Sequence, residues 1–228
     1  LNYKRTFLIG LAFLSICSFW QMYDNIVPLI LTKTFHMNET FSGAIMAADN
    51  ILALFLLPFF GSVSDKSHSK LGKRMPFILF GTGCAIILMN ILPLLDNSYA
   101  AQPSGFKTAS FVIVLGLLLV AMGTYRAPAV ALMPDVTPKP LRSRANAIIN
   151  LMGAVGGILY LGVAAVLYPN SKTAGLDHVN YQPLFIVVSA IMFVAVAVLF
   201  LTIREPKLTA ENQALEKQHP EWNLAQDD

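Results

Sequence analysis

The apolar residues of this chain come in long blocks, each separated from the next by a short polar stretch. No Asp, Glu, Lys or Arg occurs in residues 6–23, 75–95, 108–125, 145–171 or 179–203. About 20 apolar residues in a helix cross about 30 Å of hydrocarbon, and each block is near that length. A sixth segment, 41–61, reaches it only with Asp49 inside the membrane. The pattern therefore predicts an all-α integral membrane fold with helices at about 7–31, 41–61, 75–95, 108–133, 145–168 and 182–203. Transmembrane strands would be about ten residues long with alternating polarity, and runs such as 113–120 show no alternation. The first block is longer than the apolar core of a cleavable signal peptide. The chain begins at Leu1 rather than Met, so a few residues are expected to precede it.

Composition agrees: 55% of the 228 residues are hydrophobic and 13% charged, against about a quarter charged in soluble domains. Charge adds orientation. Lys4, Arg5, Lys66, Lys70, Lys73, Arg74, Lys139, Arg142, Arg144, Arg204, Lys207 and Lys217 fall on one side of the six spans. Lys33, Lys107 and Lys172 fall on the other, and Arg126 lies within a span. Short cytoplasmic loops are enriched in Lys and Arg, so both termini are expected in the cytoplasm, with the cell (plasma) membrane as location. The net charge of +3 thus reports orientation in a lipid bilayer. No basic patch interleaved with aromatics suggests nucleic acid.

Enzyme chemistry has no visible foothold. Cys17 and Cys84 lie within spans and read as small buried hydrophobes. The four histidines show no metal-ligand spacing. No nucleophile elbow or phosphate-cradling glycine loop occurs, and no cofactor is expected. After residue 203 the chain turns charged, Gln-rich and Pro-interrupted. The expected organisation is a bundle over 1–204 and a cytoplasmic linker or short surface helix over 205–228. The linker ends at Asp227-Asp228 without folding logic, as if cut from a longer chain.

The loop between the second and third spans, residues 61–77, reads GSVSDKSHSKLGKRMPF. Gly61 suits close packing of a helix end. Asp65 suits pairing with a cation or a facing helix N-terminus. Gly72 permits a tight turn, and Pro76 suits the first turn of a helix. Lys66, Lys73 and Arg74 supply the positive charge. Topology alone explains these cations but not Gly, Asp and Pro at these spacings. The loop resembles the signature of the major facilitator superfamily. Its long form resembles the glycoside–pentoside–hexuronide:cation symporters and the sucrose:proton transporters. A second stretch agrees: Pro134-Asp135, Pro138, Arg142-Ser143-Arg144-Ala145-Asn146-Ala147, then Gly153 and Gly156-Gly157. The resemblance implies the N-terminal half of a twelve-helix transporter built from 3+3 inverted repeats and working by alternating access. A C-terminal six-helix half would be the missing partner, with substrate held between the halves near the midplane.

Charges inside the membrane cost at least about 2.5 kcal/mol on insertion scales and mark function. Asp24 and Asp49 lie roughly 10–12 Å below the outer surface of neighbouring antiparallel spans, at 1.5 Å per residue. Such carboxylates suit a proton carrier, although each can also be a satisfied polar contact with Asn25, Asn50 or backbone. The melibiose-type sodium symporters hold their cation with acids on the second helix. Aligned through the loop motif, those positions are Ala53 and Leu57 here, which favours H+ over Na+ as coupling ion. Arg126 is expected to bind substrate oxygens or to pair with Asp65 or Asp135 in an inner gate. Asn146 and Asn150, one turn apart, extend a polar face. Trp20, Gln21 and Tyr23 flank Asp24 and suit a sugar, though the aromatics equally suit packing or lipid. Gly153, Gly156 and Gly157 suit close helix packing. Pro28, Pro58 and Pro128 are expected to interrupt their helices. The leading function is proton-coupled sugar or glycoside symport. A drug or metabolite exporter of the same superfamily, and a channel or structural subunit, are the alternatives.

Overall fold

The computed structural model describes residues 2–223. Leu1 and the end of the linker with Asp227-Asp228 lie outside the described residues. Among these, six helices are long and apolar enough to cross a membrane. They are α1 (Tyr3–Leu29), α2 (Glu39–Asp65), α3 (Met75–Ala101), α4 (Gly105–Val136), α5 (Arg142–Leu167) and α6 (Gln182–Thr202). A seventh helix, α7 (Glu205–Gln218), follows at once. One-turn pieces, Lys139–Leu141, Asn170–Thr173 and Pro220–Asn223, fill the remaining connections.

The cores of all six predicted spans are present, and most ends run further, because helices continue past the apolar block into polar caps. Asn2 starts α1 by accepting from the Arg5 backbone N–H at 3.1 Å, and Asn38 starts α2 by accepting from Thr40 N–H at 3.1 Å. Pro76 occupies the first turn of α3, as expected. Three prolines behave otherwise: α1 runs through Pro28, α2 through Pro58 and α4 through Pro128. Only α1 changes its winding beyond its proline, with a π turn at Ile30–Thr34 where Thr32 Oγ1 donates to Pro28 O at 2.8 Å. Side-chain back-bonding and local rewinding are how apolar-medium helices accommodate proline. Residue 96 was expected to open an outer loop. Instead α3 continues to Ala101 and leaves Asp96 fully buried.

The packing has an internal order. α1 lies chiefly against α5 and α6, α4 against α2 and α3, and α3 also against α6. Exchanging α1 with α4, α2 with α5 and α3 with α6 maps each of these pairs onto another or onto itself. That is the pattern of two three-helix repeats. Between the repeats, Tyr125 of α4 donates to Ala12 O of α1 at 2.9 Å and touches the Ser15 hydroxyl. The α1–α5 seam is glycine-lined, as expected. A Cβ on Gly156 would stand 2.1 Å from Leu14 O, and one on Gly153 2.9 Å from Cys17 Sγ. Ser18 Oγ closes the seam by donating to Gly156 O at 2.8 Å. α2 and α5 leave large apolar side chains uncovered, among them Leu54, Phe55, Phe59, Leu151 and Ile158. Such surface is stable only against lipid or another apolar bundle.

Candidate functional site

Two polar assemblies stand out, one amid the helices and one at the end where α2 meets α3. In the first, α1, α2 and α4 converge on a crevice of about 20 Å³. Trp20, Asp49 and Arg126 line it, together with Ala53, Leu57 and Gly123. The Arg126 guanidinium lies over the Trp20 ring, 5.6 Å from its centroid, a cation–π arrangement that steadies a charge away from water. Trp20 in turn packs edge-on against Phe19 and Tyr23, with ring centroids 5.3 Å away in each case. The Trp20 indole N–H is buried without an acceptor among the described residues. A crevice this size admits about one water, so no sugar fits within it as it stands.

Asp24 sits one turn beyond Trp20 on α1 and is exposed, with Gln21 and Asn25 beside it. Its carboxylate makes no hydrogen bond or ion pair among the described residues. It lies within electrostatic reach of Asp49. Asp49 Oδ1 accepts from the Asn50 backbone N–H at 2.6 Å. Of the two roles open to Tyr23, the structure shows packing: it is 1% exposed, inside the bundle, and its hydroxyl has no hydrogen-bond partner among the described residues. The helical period explains this, because Tyr23 and Asp24 are about 100° apart on α1. Asn146 and Asn150 are exposed on α5 and do not join the crevice. Gln21 lies against α5, where a Cβ on Gly157 would come 3.4 Å from its Cγ.

The second assembly is built around Arg74, which is 5% exposed. Its Nη2 donates to Asp65 Oδ1 at 2.5 Å, its Nε to Asp135 Oδ2 at 2.8 Å and its Nη1 to Ser64 Oγ at 2.5 Å. The end of α2, the start of α3 and the end of α4 are thereby joined through one planar fork, a geometry that Lys lacks. Burial works against the Arg74 charge, but the hydrogen bonds and charges of Asp135 and Asp65 outweigh it and raise its pKa further. Arg126 was a candidate partner for Asp65 or Asp135; Arg74 occupies both, and Arg126 turns to Trp20 instead. Arg142 Nε donates to Thr137 O at 3.1 Å and its Nη2 to Pro134 O at 2.9 Å, which ties down the α4–α5 turn. Gly72 has φ +112°, the turn its position predicted. Gly61 does not serve close packing, since a Cβ there would meet open space. Its carbonyl instead accepts from Ser64 Oγ at 2.8 Å and Arg74 Nη1 at 3.4 Å. The Lys66 side chain is exposed, and Lys73 contributes its backbone N–H.

Sequence reasoning missed the residues that close this assembly from below. Glu205, 2% exposed, accepts from the backbone N–H of Lys73 at 2.7 Å, Arg74 at 2.9 Å and Met75 at 2.8 Å. It caps α3, where orphan amides and the helix dipole favour a carboxylate. A Cβ on Gly72 would stand 2.3 Å from Glu205 Oε2, so this glycine serves the cap as well as the turn. Asn212 Nδ2 donates to Asp135 O at 3.2 Å, and Glu216 pairs with Arg142 at 3.1 Å. Positions 205, 212 and 216 are seven and four apart, one stripe of a helix, and that spacing was the available signal. At the opposite end His178 bonds Thr34 and Asn97, at 3.1 and 2.9 Å, and stands 3.9 Å from buried Asp96. Isolated in the sequence, these residues meet only because α1 and α3 outrun their apolar blocks.

Six apolar helices in two mutually exchangeable sets of three, with charges held among them, define a multi-pass membrane protein. The Major Facilitator Superfamily family model matches residues 9–224, and the chain belongs to that superfamily of transporters. The sucrose transport protein SUC3 of Arabidopsis thaliana is 35% identical over 145 residues, 58% of this chain and 24% of that protein. The sucrose transport protein SUT3 of Oryza sativa subsp. indica is 36% identical over 123 residues, 48% of this chain and 24% of that protein. Solute carrier family 45 member 3 of Homo sapiens is 25% identical over 186 residues, 80% of this chain and 34% of that protein. The chain thus spans a quarter to a third of the length of these curated relatives.

Proposed function

We propose that this chain supplies one six-helix half, with its linker, of a proton-coupled symporter for a sugar or glycoside. Asp24 is the leading proton and sugar site and Asp49 its support. The carrying observation is the crevice that gathers Asp49, Arg126 and Trp20, with Asp24 exposed a turn away and its carboxylate without a hydrogen-bond or ion-pair partner among the described residues. A carboxylate that no side chain satisfies can exchange a proton and a substrate hydroxyl during a transport cycle. Ala53 and Leu57 line the same crevice and offer apolar carbon where a sodium site needs oxygen ligands, which leaves Asp49 as the carboxylate that α2 brings there. The likeness to sucrose transport proteins supports a sugar as substrate. Since the crevice holds about one water, the sugar site needs a second bundle, and the uncovered faces of α2 and α5 are where one would pack. The Arg74 fork and Glu205 cap form the cytoplasmic gate, and both termini lie in the cytoplasm of a plasma-membrane protein.

Asp24→Asn tests this reading in proteoliposomes that hold the complete transporter. The amide keeps the shape and removes the titration. Proton-driven accumulation of labelled sugar is expected to vanish, and Asp49→Asn to do less. Accumulation by Asp24→Asn equal to wild type across about pH 5–8, where perturbed carboxylates titrate, would remove Asp24 from the mechanism.

A further inference from the structure

A cavity of about 440 Å³ opens between the start of α1 and the junction of α6 with α7. Lys4, Arg5, Arg204 and Lys207 line it, with Glu211 as its only acid among the described residues. Arg5 is held at the wall by its Nη2, which donates to Val136 O at 3.3 Å. Lys207 stands 3.9 Å from Glu211, both well exposed. The side chains of Lys4 and Arg204 make no hydrogen bond or ion pair among the described residues. Leu8, Ile203 and Leu208 give the same cavity apolar walls. Cations that merely orient a membrane protein need to lie on the correct side; they need not converge on one space from two separate segments.

Location narrows the ligand. Arg204 follows α6, a span of 21 residues, almost directly, and Lys4 and Arg5 precede the uncharged stretch that begins at Thr6. All three therefore lie at a membrane border, where phospholipid headgroups sit. Basic pockets between helix ends on that side suit anionic headgroups, and the first turn of α1 adds its partial positive charge. We propose that this cavity binds the phosphate headgroup of an anionic phospholipid from the adjoining leaflet, its acyl chains passing along the apolar wall. Bound there, the lipid fastens α7 to the start of α1, on the side away from the Glu205 cap. The site goes beyond the transport reading and requires neither the sugar nor the proton.

The test uses the purified, delipidated protein in detergent, titrated with short-chain phosphatidylglycerol, phosphatidylcholine or inorganic phosphate. Binding is read by native mass spectrometry and by the unfolding temperature. Phosphatidylglycerol is expected to bind and raise the unfolding temperature, and phosphatidylcholine to do neither. At about 1 kcal/mol per cation, Lys4→Gln/Arg204→Gln weakens phosphatidylglycerol binding about thirtyfold. Lys4→Arg/Arg204→Lys retains it, and Arg144→Gln/Lys217→Gln, which removes two charges elsewhere, leaves it unchanged. Equal response to phosphatidylcholine, or equal loss in the Arg144/Lys217 pair, overturns the site. Displacement by equimolar inorganic phosphate overturns the lipid and leaves a free-anion site. Loss in the charge-conserving pair reduces the effect to packing damage and also overturns the proposal. The measurement is made without a membrane, so it stands or fails independently of the orientation and of transport.

Discussion

Arg74 holds two carboxylates of unequal worth. Asp65 is 60% exposed in its side chain and Asp135 30%, so water screens the first arm more. Removing a buried guanidinium leaves its partners and a cavity behind, and Arg74→Ala is expected to destabilise by about 3 kcal/mol. Asp65→Asn is expected to cost under about 1 kcal/mol, in the range of exposed ion pairs. Thermal unfolding in detergent, with both variants side by side, checks the ratio. Gly156 is the other single residue on which packing turns. A methyl group there meets Leu14 O at 2.1 Å, a backbone atom that moves only if α1 and α5 separate. Gly156→Ala is expected to lower stability by about 1–3 kcal/mol. Gly162→Ala, on the same helix with nothing within 4 Å, is expected to be neutral or slightly stabilising through helix propensity. Equal unfolding temperatures for the two would contradict the seam.

Among the elements, α7 is the one whose role changed most between sequence and structure. Its composition reads as a solvated linker, and its mean polarity is real. Three side chains of one stripe nevertheless bind it to α3, α4 and the start of α5. Glu205→Gln keeps an acceptor but loses the charge facing the α3 N-terminus, a loss of about 1–2 kcal/mol. α7 is then expected to undock in part, seen as faster amide exchange through Glu205–Gln218 and easier proteolysis there. Lys217→Gln serves as comparison, because the Lys217 side chain is exposed on the same helix and makes no ion pair among the described residues. Equal protection in all three proteins would mean that the cap does not hold the helix. The apolar spans behaved differently: their length and polarity specified each one, because in lipid every backbone group must bond within its own helix.

At the scale of the molecule, orientation rests on the charge imbalance between the loops. In a background lacking Cys17 and Cys84, a cysteine at exposed position 70 is expected to resist an impermeant thiol reagent added to intact cells. One at exposed position 172 is expected to react. The reverse labelling would invert the topology and place the Arg74 fork outside. The sequence alone determined the six spans, the membrane as solvent, the turn at Gly72 and the glycine seam of α5, because these follow from local period, length and side-chain size. It could name Asp24, Asp49, Arg126 and Trp20 as charges and aromatics in spans, but not their partners. Tertiary structure decided that Arg74, rather than Arg126, bridges Asp65 and Asp135, that Tyr23 turns inward while Asp24 stays exposed, and that Glu205 caps a helix 130 residues away. Partner choice depends on which helix faces come together across the bundle, and a one-dimensional pattern carries depth along each helix but not the angle at which its neighbours approach.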